Sequence, residues 1–320
     1  MSDDTKTPID PLSMVAPELV DIVAAQPPVT YSAELLPIIR ESLKTMTPPL
    51  PDGVKKHSIP GAAGAPPVDL LIADPWPDQS DKPAVLFMHG GGFVVQSAQD
   101  FAPFIANMAQ ACQCVVVSVD YRLAPETPYP GALMDCYSTL QWMRDPASAL
   151  GIDANRLALA GVSAGGGLAA QLSFMARDQG IPIAFQLLIY PMLDDRTGGE
   201  QPVPPHIGHY IWNAGSNQFA WGAYLGENND DAKMGAVPAR IDDVSGLAPA
   251  WIGVGSADLF MAENLSYAQR LIEAGVNVEV HVVPGGVHAF DVLASQASIT
   301  EKFNAHWQTA LAGALTSTVS

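Results

Sequence analysis

The chain has few basic residues and no long apolar run. Of its 320 residues only 15 are Lys or Arg, against 33 that are Asp or Glu, and the formal net charge is −18. Nucleic-acid binding requires clustered basic side chains that contact phosphates, so we expect no nucleic-acid partner. No uninterrupted apolar run reaches the roughly 18 residues needed to span a bilayer, so we expect no membrane partner either.

The start of the chain lacks the features of a secretory signal. Residues 1–8, Met-Ser-Asp-Asp-Thr-Lys-Thr-Pro, are acidic and polar, whereas a secretory signal is basic and then apolar. We therefore expect a cytoplasmic protein.

Cysteine is scarce, and its spacing suits neither disulfides nor zinc. Cys112, Cys114 and Cys136 are an odd number without a paired framework, and we expect them to be buried, reduced thiols. His206 and His209 lie close together, but no Asp, Glu or Cys stands beside them to complete a metal site. We expect neither a metal ion nor another cofactor.

Apolar segments typical of strands alternate with segments typical of helices along most of the chain. We predict strands at 68–72, 84–88, 115–119, 156–160, 184–189, 250–254 and 278–283. We predict helices at 17–25, 32–45, 100–110, 131–143, 166–179, 262–274 and 298–315. The strand segments are mostly continuous apolar runs, which are typical of a parallel sheet buried on both faces. The predicted fold is therefore α/β, with a mostly parallel central sheet and helices on both faces.

Two segments depart from this alternation. Residues 1–50 are rich in proline, and residues 195–240 are rich in Gly, Pro, Asn and aromatic residues. An insertion of that length between two strands is too long for a simple loop, and open α/β sheets bind ligands at the carboxyl ends of their strands. We predict that 1–50 and 195–240 form a helical cap over a catalytic core made of 51–194 and 241–320.

The segment Gly-Val-Ser-Ala-Gly at 161–165 stands between a predicted strand and a predicted helix. This is the layout of a nucleophile elbow, in which a strained turn exposes the serine hydroxyl at the start of a helix. Ser163 is the candidate nucleophile. The N–H of Ala164, directly after it, is a candidate donor to a negatively charged oxygen.

A serine nucleophile needs a base within hydrogen-bond reach and an acid that orients the base. Asp258 follows the strand predicted at 250–254, and His288 follows the strand predicted at 278–283. Both therefore emerge at the sheet edge that carries Ser163. His281 is a less favoured alternative for the base, since it lies inside a predicted strand. Asp194 and Glu263 are less favoured alternatives for the acid, since Asp194 precedes the insertion and Glu263 is predicted to begin a helix.

The segment His-Gly-Gly-Gly-Phe at 89–93 follows the strand predicted at 84–88. Consecutive glycines allow backbone N–H groups to turn toward a ligand without side-chain obstruction. In an acyl-transfer site such groups stabilise the oxygen of the tetrahedral intermediate.

Together these motifs resemble those of the hormone-sensitive-lipase-like branch of the α/β hydrolases, many of which are bacterial carboxylesterases. The resemblance extends from about residue 80 to 295 and includes Asp-Tyr-Arg-Leu-Ala-Pro-Glu at 120–126 and Tyr-Pro-Met-Leu-Asp at 190–194. It implies that Gly91 and Gly92 are the main oxyanion donors. It also implies a monomer or homodimer that needs no metal. Two positions depart from the family pattern. Val162 stands where the family commonly has Asp or Thr, and Ala289 stands where it usually has Gly.

The sequence therefore predicts a serine carboxylesterase that hydrolyses small, short-acyl esters through an acyl-enzyme intermediate, with Ser163, Asp258 and His288 as its triad. Two alternatives are open. One is a non-catalytic small-ligand receptor on the same fold, and the other is a lactonase, amidase or acyltransferase that uses the same triad.

Overall fold

The computed structural model describes residues 8–145, 150–226 and 234–316. Residues 1–7, 146–149, 227–233 and 317–320 lie outside the described residues. They belong to the two predicted cap segments and to the two parts of the predicted core. The strands are β1 Val54–Ile59, β2 Val68–Ala73, β3 Lys82–Met88, β4 Val115–Asp120, β5 Ile152–Val162, β6 Phe185–Ile189, β7 Ala250–Gly255 and β8 Val278–Val283.

These eight strands, all within the described ranges, form one sheet in the order β1-β2-β4-β3-β5-β6-β7-β8. β1 and β2 pair in antiparallel fashion with their neighbours, and β4, β3 and β5 to β8 run parallel to one another. The central strands are buried along nearly their whole length, which explains their continuous apolar sequences. The predicted mostly parallel sheet is confirmed.

Helices pack on both faces of the sheet. They are α1 Val20–Ala24, α2 Leu36–Lys44, α3 Ala102–Cys112, α4 Gly131–Arg144, α5 Ala164–Asp178, α6 Ala214–Leu225, α7 Met261–Glu273, α8 Phe290–Leu293 and α9 Ser298–Thr316. One buried apolar cluster joins α4, α5 and α7 to the sheet, and a second joins α3 and α9 to the opposite face. None of the helices in the described ranges is both long and apolar enough to cross a membrane.

Three of the elements named above were not predicted individually: β1, α6 and the short helix α8. β1, with the sequence Val-Lys-Lys-His-Ser-Ile, exposes its four central residues, so it lacks the apolar run that identified the other strands. α6 lies in the aromatic part of the predicted cap insertion, and its buried face includes the polar side chains of Ser216 and Asn217. Because polar residues share the buried face with apolar ones, the sequence shows no clear apolar stripe at helical spacing.

The N-terminal segment and the insertion contact each other and the core. Asn213 Nδ2 donates to the carbonyl of Val29 at 3.1 Å, and the N–H of Tyr31 donates to Ser216 Oγ at 3.0 Å. The N–H of Tyr129 donates to the carbonyl of Tyr224 at 2.7 Å. These contacts join both segments to loops near the carboxyl ends of the parallel strands.

All three cysteines are buried free thiols, as expected. Burial raises the pKa of the Cys112 thiol to about 12. Such a thiol stays protonated and unreactive at neutral pH.

Candidate active site

Ser163 occupies the one-residue turn between β5 and α5. Its φ of 56° and ψ of −121° lie in a region that residues other than glycine rarely adopt. Its N–H donates to the carbonyl of Ile189 at 2.9 Å, so the strained backbone is held by the adjacent strand β6. The hydroxyl stands at the N-terminus of α5, where unpaired backbone N–H groups favour negative charge.

The glycines on either side of Ser163 are required by close backbone contacts. A Cβ on Gly161 would lie 2.0 Å from the carbonyl oxygen of Gly165, and one on Gly165 would lie 2.1 Å from that of Met88. Such distances are not reached by real Cβ atoms without movement of the backbone. The pattern Gly-x-Ser-x-Gly is therefore a packing requirement of this turn.

The structure brings together the three residues predicted as a triad. His288 Nε2 lies 2.9 Å from Ser163 Oγ, and His288 Nδ1 lies 2.9 Å from Asp258 Oδ2. Ser163 and His288 are each 5% exposed, and Asp258 is fully buried. Water screens such a chain of hydrogen bonds little, and the carboxylate fixes both the tautomer and the orientation of the ring.

The loops after β7 and β8 carry Asp258 and His288, the predicted acid and base. The second oxygen of Asp258, Oδ1, accepts from the N–H of Phe260 at 2.9 Å, which fixes the carboxylate. His288 follows β8 in a short loop whose residue Gly285 donates its N–H to Ser256 Oγ at 2.8 Å. The two loops therefore support each other as well as the triad.

His281 is not part of this arrangement. It lies within β8, where its ring is 6.3 Å from that of Trp251 and 4.2 Å from that of His306. Burial and the neighbouring His306 lower the pKa of His281. It packs against α9, on the sheet face away from Ser163.

The alternative acids have other partners. Asp194 forms an ion pair with Arg196 at 2.7 Å. Glu263 lies in the first turn of α7 and accepts from the N–H of Leu193 at 2.7 Å and from the hydroxyl of Thr197. Burial raises the pKa of Glu263 well above its usual range. Glu263 therefore supports the segment after β6 and does not contact the triad.

Three aromatic rings surround the imidazole of His288. The ring centroids of Tyr190, Phe260 and Trp212 lie 4.9, 5.1 and 6.4 Å from that of His288. Tyr190 and Phe260 approach edge to face. Their packing excludes water from the base and limits rotation of its ring.

The predicted oxyanion cradle is the glycine segment directly after β3. Gly91 and Gly92 have φ values of 105° and 59°. A Cβ on Gly91 would lie 2.1 Å from the carbonyl oxygen of Val95. Within the described residues, the N–H groups of Gly91, Gly92 and Ala164 donate to no protein acceptor. They are thus free to donate to a ligand.

Trp212 covers this cradle, a contact that sequence reasoning missed. A Cβ on Gly92 would lie 2.4 Å from Cη2 of the Trp212 ring. The ring packs edge to face on Tyr31 with a centroid distance of 5.2 Å. The insertion and the N-terminal segment therefore meet directly above Gly92.

His89 supports the cradle from below. Its ring stacks on that of Tyr121 with a centroid distance of 4.0 Å and an interplanar angle of 7°. The hydroxyl of Tyr121 donates to the carbonyl of His89 at 2.8 Å. Burial lowers the pKa of His89, which favours a neutral ring with a structural role.

The two departures from the family pattern differ in consequence. Val162 is the last residue of β5, 4% exposed, and packs in the apolar cluster with α3 and α9. Ala289 has a φ of 55°, a left-handed conformation that glycine adopts without strain. The structure thus explains why glycine would suit position 289.

No three His, Cys, Asp or Glu side chains in the described part of the chain are grouped so that they could hold a metal ion. The predicted nucleophile, base and acid are thus hydrogen-bonded in sequence beside free N–H groups, which is the arrangement that nucleophilic attack on a carbonyl carbon requires.

Comparisons with known proteins agree with this geometry. Residues 85–292 match a family model described as alpha/beta hydrolase fold. Esterase LipI of Mycobacterium tuberculosis is 37% identical over 244 residues, which cover 73% of each chain. Carboxylesterase NlhH of the same species is 34% identical over 275 residues, which cover 82% of this chain and 85% of the relative.

A solved structure named Bacterial Heroin Esterase superposes with a TM-score of 0.88 at 35% sequence identity. The superposition covers 96% of this chain and 99% of that chain. The likeness therefore includes both predicted cap segments as well as the core.

Proposed function

Because this chain belongs to the hormone-sensitive-lipase-like branch of the α/β hydrolases and is a carboxylic ester hydrolase, we propose that it cleaves small, short-acyl esters through an acyl-enzyme on Ser163. The observation that carries this proposal is the continuous hydrogen-bonded chain from Ser163 Oγ through His288 to Asp258. All three side chains are buried.

In the first step Ser163 Oγ attacks the ester carbonyl carbon. His288 Nε2, 2.9 Å away, accepts the hydroxyl proton as the bond forms. Asp258 remains ionised, keeps the Nδ1–H of His288 oriented and stabilises the imidazolium. The carbonyl π electrons move to oxygen, and a tetrahedral intermediate results.

The N–H groups of Gly91, Gly92 and Ala164 stabilise the negative oxygen of that intermediate. Both glycines have positive φ values, a backbone conformation that other residues rarely adopt. The N-terminus of α5 adds the positive end of a helix dipole. Preorganised donors of this kind contribute most of the barrier reduction in acyl transfer.

His288 then gives its proton to the alcohol oxygen, the carbon–oxygen bond breaks, and the alcohol leaves. In the second step His288 removes a proton from water, which attacks the acyl-enzyme and releases the carboxylic acid. The serine hydroxyl is restored by the proton held on His288. The reaction uses the chain's own residues and water, with no metal or other cofactor.

We assign substrate selection to a cap formed by 1–50 and 195–240, over a core of 51–194 and 241–320. The described parts of the two cap segments meet through Tyr31 and Trp212. Trp212 is 5% exposed and lies against both Gly92 and His288. A large fixed ring at that position favours short acyl chains.

We further assign the enzyme to the bacterial cytoplasm, as a monomer or a homodimer. The free, buried thiols support a reducing compartment, and two of its relatives come from a bacterium. Size-exclusion chromatography with light scattering distinguishes the two oligomeric states, and cell fractionation tests the compartment.

The test is hydrolysis of p-nitrophenyl acetate and butyrate by the wild type and by Ser163→Ala. Because the nucleophile is lost, we expect kcat to fall by at least about 10⁴-fold. Ser173→Ala is the matched control, since Ser173 is a buried serine within α5, the helix that begins directly after Ser163. Near wild-type turnover by Ser163→Ala would refute the proposal.

A substrate panel separates the related chemistries. Lactones and anilides are offered beside short and medium esters at equal concentration, and we expect the highest kcat/KM for short esters. A higher value for a lactone or an anilide would reassign the reaction while keeping the triad. Absence of any p-nitrophenol release, in a burst or at steady state, would indicate a receptor.

A further inference from the structure

Tyr190 and Asp291 form a buried pair beside the proposed base. The hydroxyl of Tyr190 donates to Asp291 Oδ1 at 2.7 Å. Tyr190 is fully buried and Asp291 is 8% exposed. The edge-to-face contact of Tyr190 with His288, at a centroid distance of 4.9 Å and an interplanar angle of 68°, places this pair directly against the imidazole.

The pair joins two parts of the active site that come from different elements. Tyr190 directly follows β6, whose last residue, Ile189, accepts the N–H of Ser163. Asp291 lies in the first turn of α8, three residues after His288. The hydrogen bond therefore connects the support of the nucleophile to the loop that carries the base.

The backbone holds Tyr190 in a strained conformation that orients its ring. Its φ is 34°, and its N–H donates to the carbonyl of Gly253 in β7 at 2.6 Å. The ring of Phe303 lies nearly parallel to that of Tyr190, with a centroid distance of 6.5 Å. Strain at such a residue persists only where the surroundings impose it, and it is common at functional sites.

The titratable groups around His288 come from three elements. Asp258 lies after β7, and Asp291 lies in α8; Tyr190, after β6, is a phenol. Burial raises the pKa of Tyr190 well above its usual range, so it remains a donor. Burial also raises the pKa of Asp291, while the bond from Tyr190 opposes that rise and favours its charged form.

We propose that Tyr190 and Asp291 are positioning residues for His288: the hydroxyl–carboxylate bond fixes the Tyr190 ring against the imidazole, and the carboxylate adds negative charge behind the imidazolium that forms during turnover. The inference rests on the proposed function. Its effect lies in the transition state, so it alters kcat more than KM.

The test uses Tyr190→Phe, which keeps the ring, and Asp291→Asn, which keeps an acceptor but removes the charge. With p-nitrophenyl butyrate we expect kcat to fall about fivefold for Tyr190→Phe, the size of one lost hydrogen bond, at unchanged KM. For Asp291→Asn we expect a similar loss, and the acid limb of the kcat/KM profile to move to lower pH because a nearby anion favours the imidazolium.

Tyr267→Phe is the matched control, because the Tyr267 hydroxyl is buried without a partner in the described residues. We expect it to retain wild-type kcat and pH profile. Wild-type kcat and an unmoved acid limb in both test variants would overturn the inference, as would equal changes in kcat and in the fraction of folded protein. Failure of the wild type itself to hydrolyse the ester would instead refute the proposed function.

Discussion

The floor and the roof of the active site are held in different ways. We use floor for the strand-end residues Gly91, Gly92, Ser163, Asp258 and His288, and roof for the described parts of the two cap segments. The floor is fixed by backbone bonds between neighbouring strands, such as Ser163 N–H to Ile189 at 2.9 Å. The roof is fixed largely by side chains.

The guanidinium of Arg40, in α2, is the clearest example in the roof. It donates to the carbonyls of Val94 and Ala124, each at 2.8 Å, and pairs with Glu126 at 2.6 Å. One side chain thus ties the N-terminal segment to the loop beside the oxyanion cradle. From this difference we expect that changes in the roof alter the choice of substrate, while the floor residues retain the chemistry.

The largest effect is expected where the floor loses its acid. Asp258→Asn keeps the shape but favours the wrong tautomer of His288, so kcat should fall by about 10⁴-fold. Steady-state kinetics with p-nitrophenyl butyrate measures the change. A loss below about tenfold would show that another group, not Asp258, orients the base.

A second prediction tests the contact between floor and roof. Gly92→Ala places a Cβ 2.4 Å from Trp212 Cη2 and at a positive φ, so we expect kcat to fall by about 100-fold as a cradle donor is displaced. Trp212→Ala removes the clash, and the double variant should be more active than Gly92→Ala alone. If the two losses simply add, floor and roof are not coupled here.

Sequence reasoning predicted the floor better than the roof, for physical reasons. Buried parallel strands have continuous apolar runs, and the candidate catalytic side chains follow those strands directly. The sequence therefore placed Ser163, Asp258 and His288 at one sheet edge, where the structure brings them together. The roof has no such regularity, and Trp212 was an unremarkable member of an aromatic segment. The Tyr190–Asp291 bond joins residues 101 positions apart, a pairing that no local pattern indicates.

A third prediction concerns the attachment of the roof. Arg40→Ala leaves the carbonyls of Val94 and Ala124 without this donor, and we expect kcat/KM to fall about five- to tenfold. Glu126→Gln is the control, since Glu126 is 62% exposed and an exposed ion pair contributes about 0–1 kcal/mol. Equal effects in both variants would mean that the ion pair, not the carbonyl bonds, holds the roof.

The smallest effect is expected at Ala289, directly after the floor residue His288. Its φ of 55° is strained for alanine, so Ala289→Gly should raise the free energy of unfolding by about 0.5–1 kcal/mol. The kcat should stay unchanged, because no catalytic atom is altered. Urea denaturation measures the stability, and a lower midpoint in the variant would contradict the strain assigned to this residue.

The central claim is that Ser163 forms the covalent intermediate. The most direct measurement is mass spectrometry of the wild-type protein after reaction with a p-nitrophenyl phosphonate, which leaves a stable phosphonyl group on an activated serine. We predict one adduct per chain, on the peptide that contains Ser163, and none on Ser163→Ala or on Asp258→Asn at equal exposure. An adduct on another residue, or an unmodified wild type, would contradict the account.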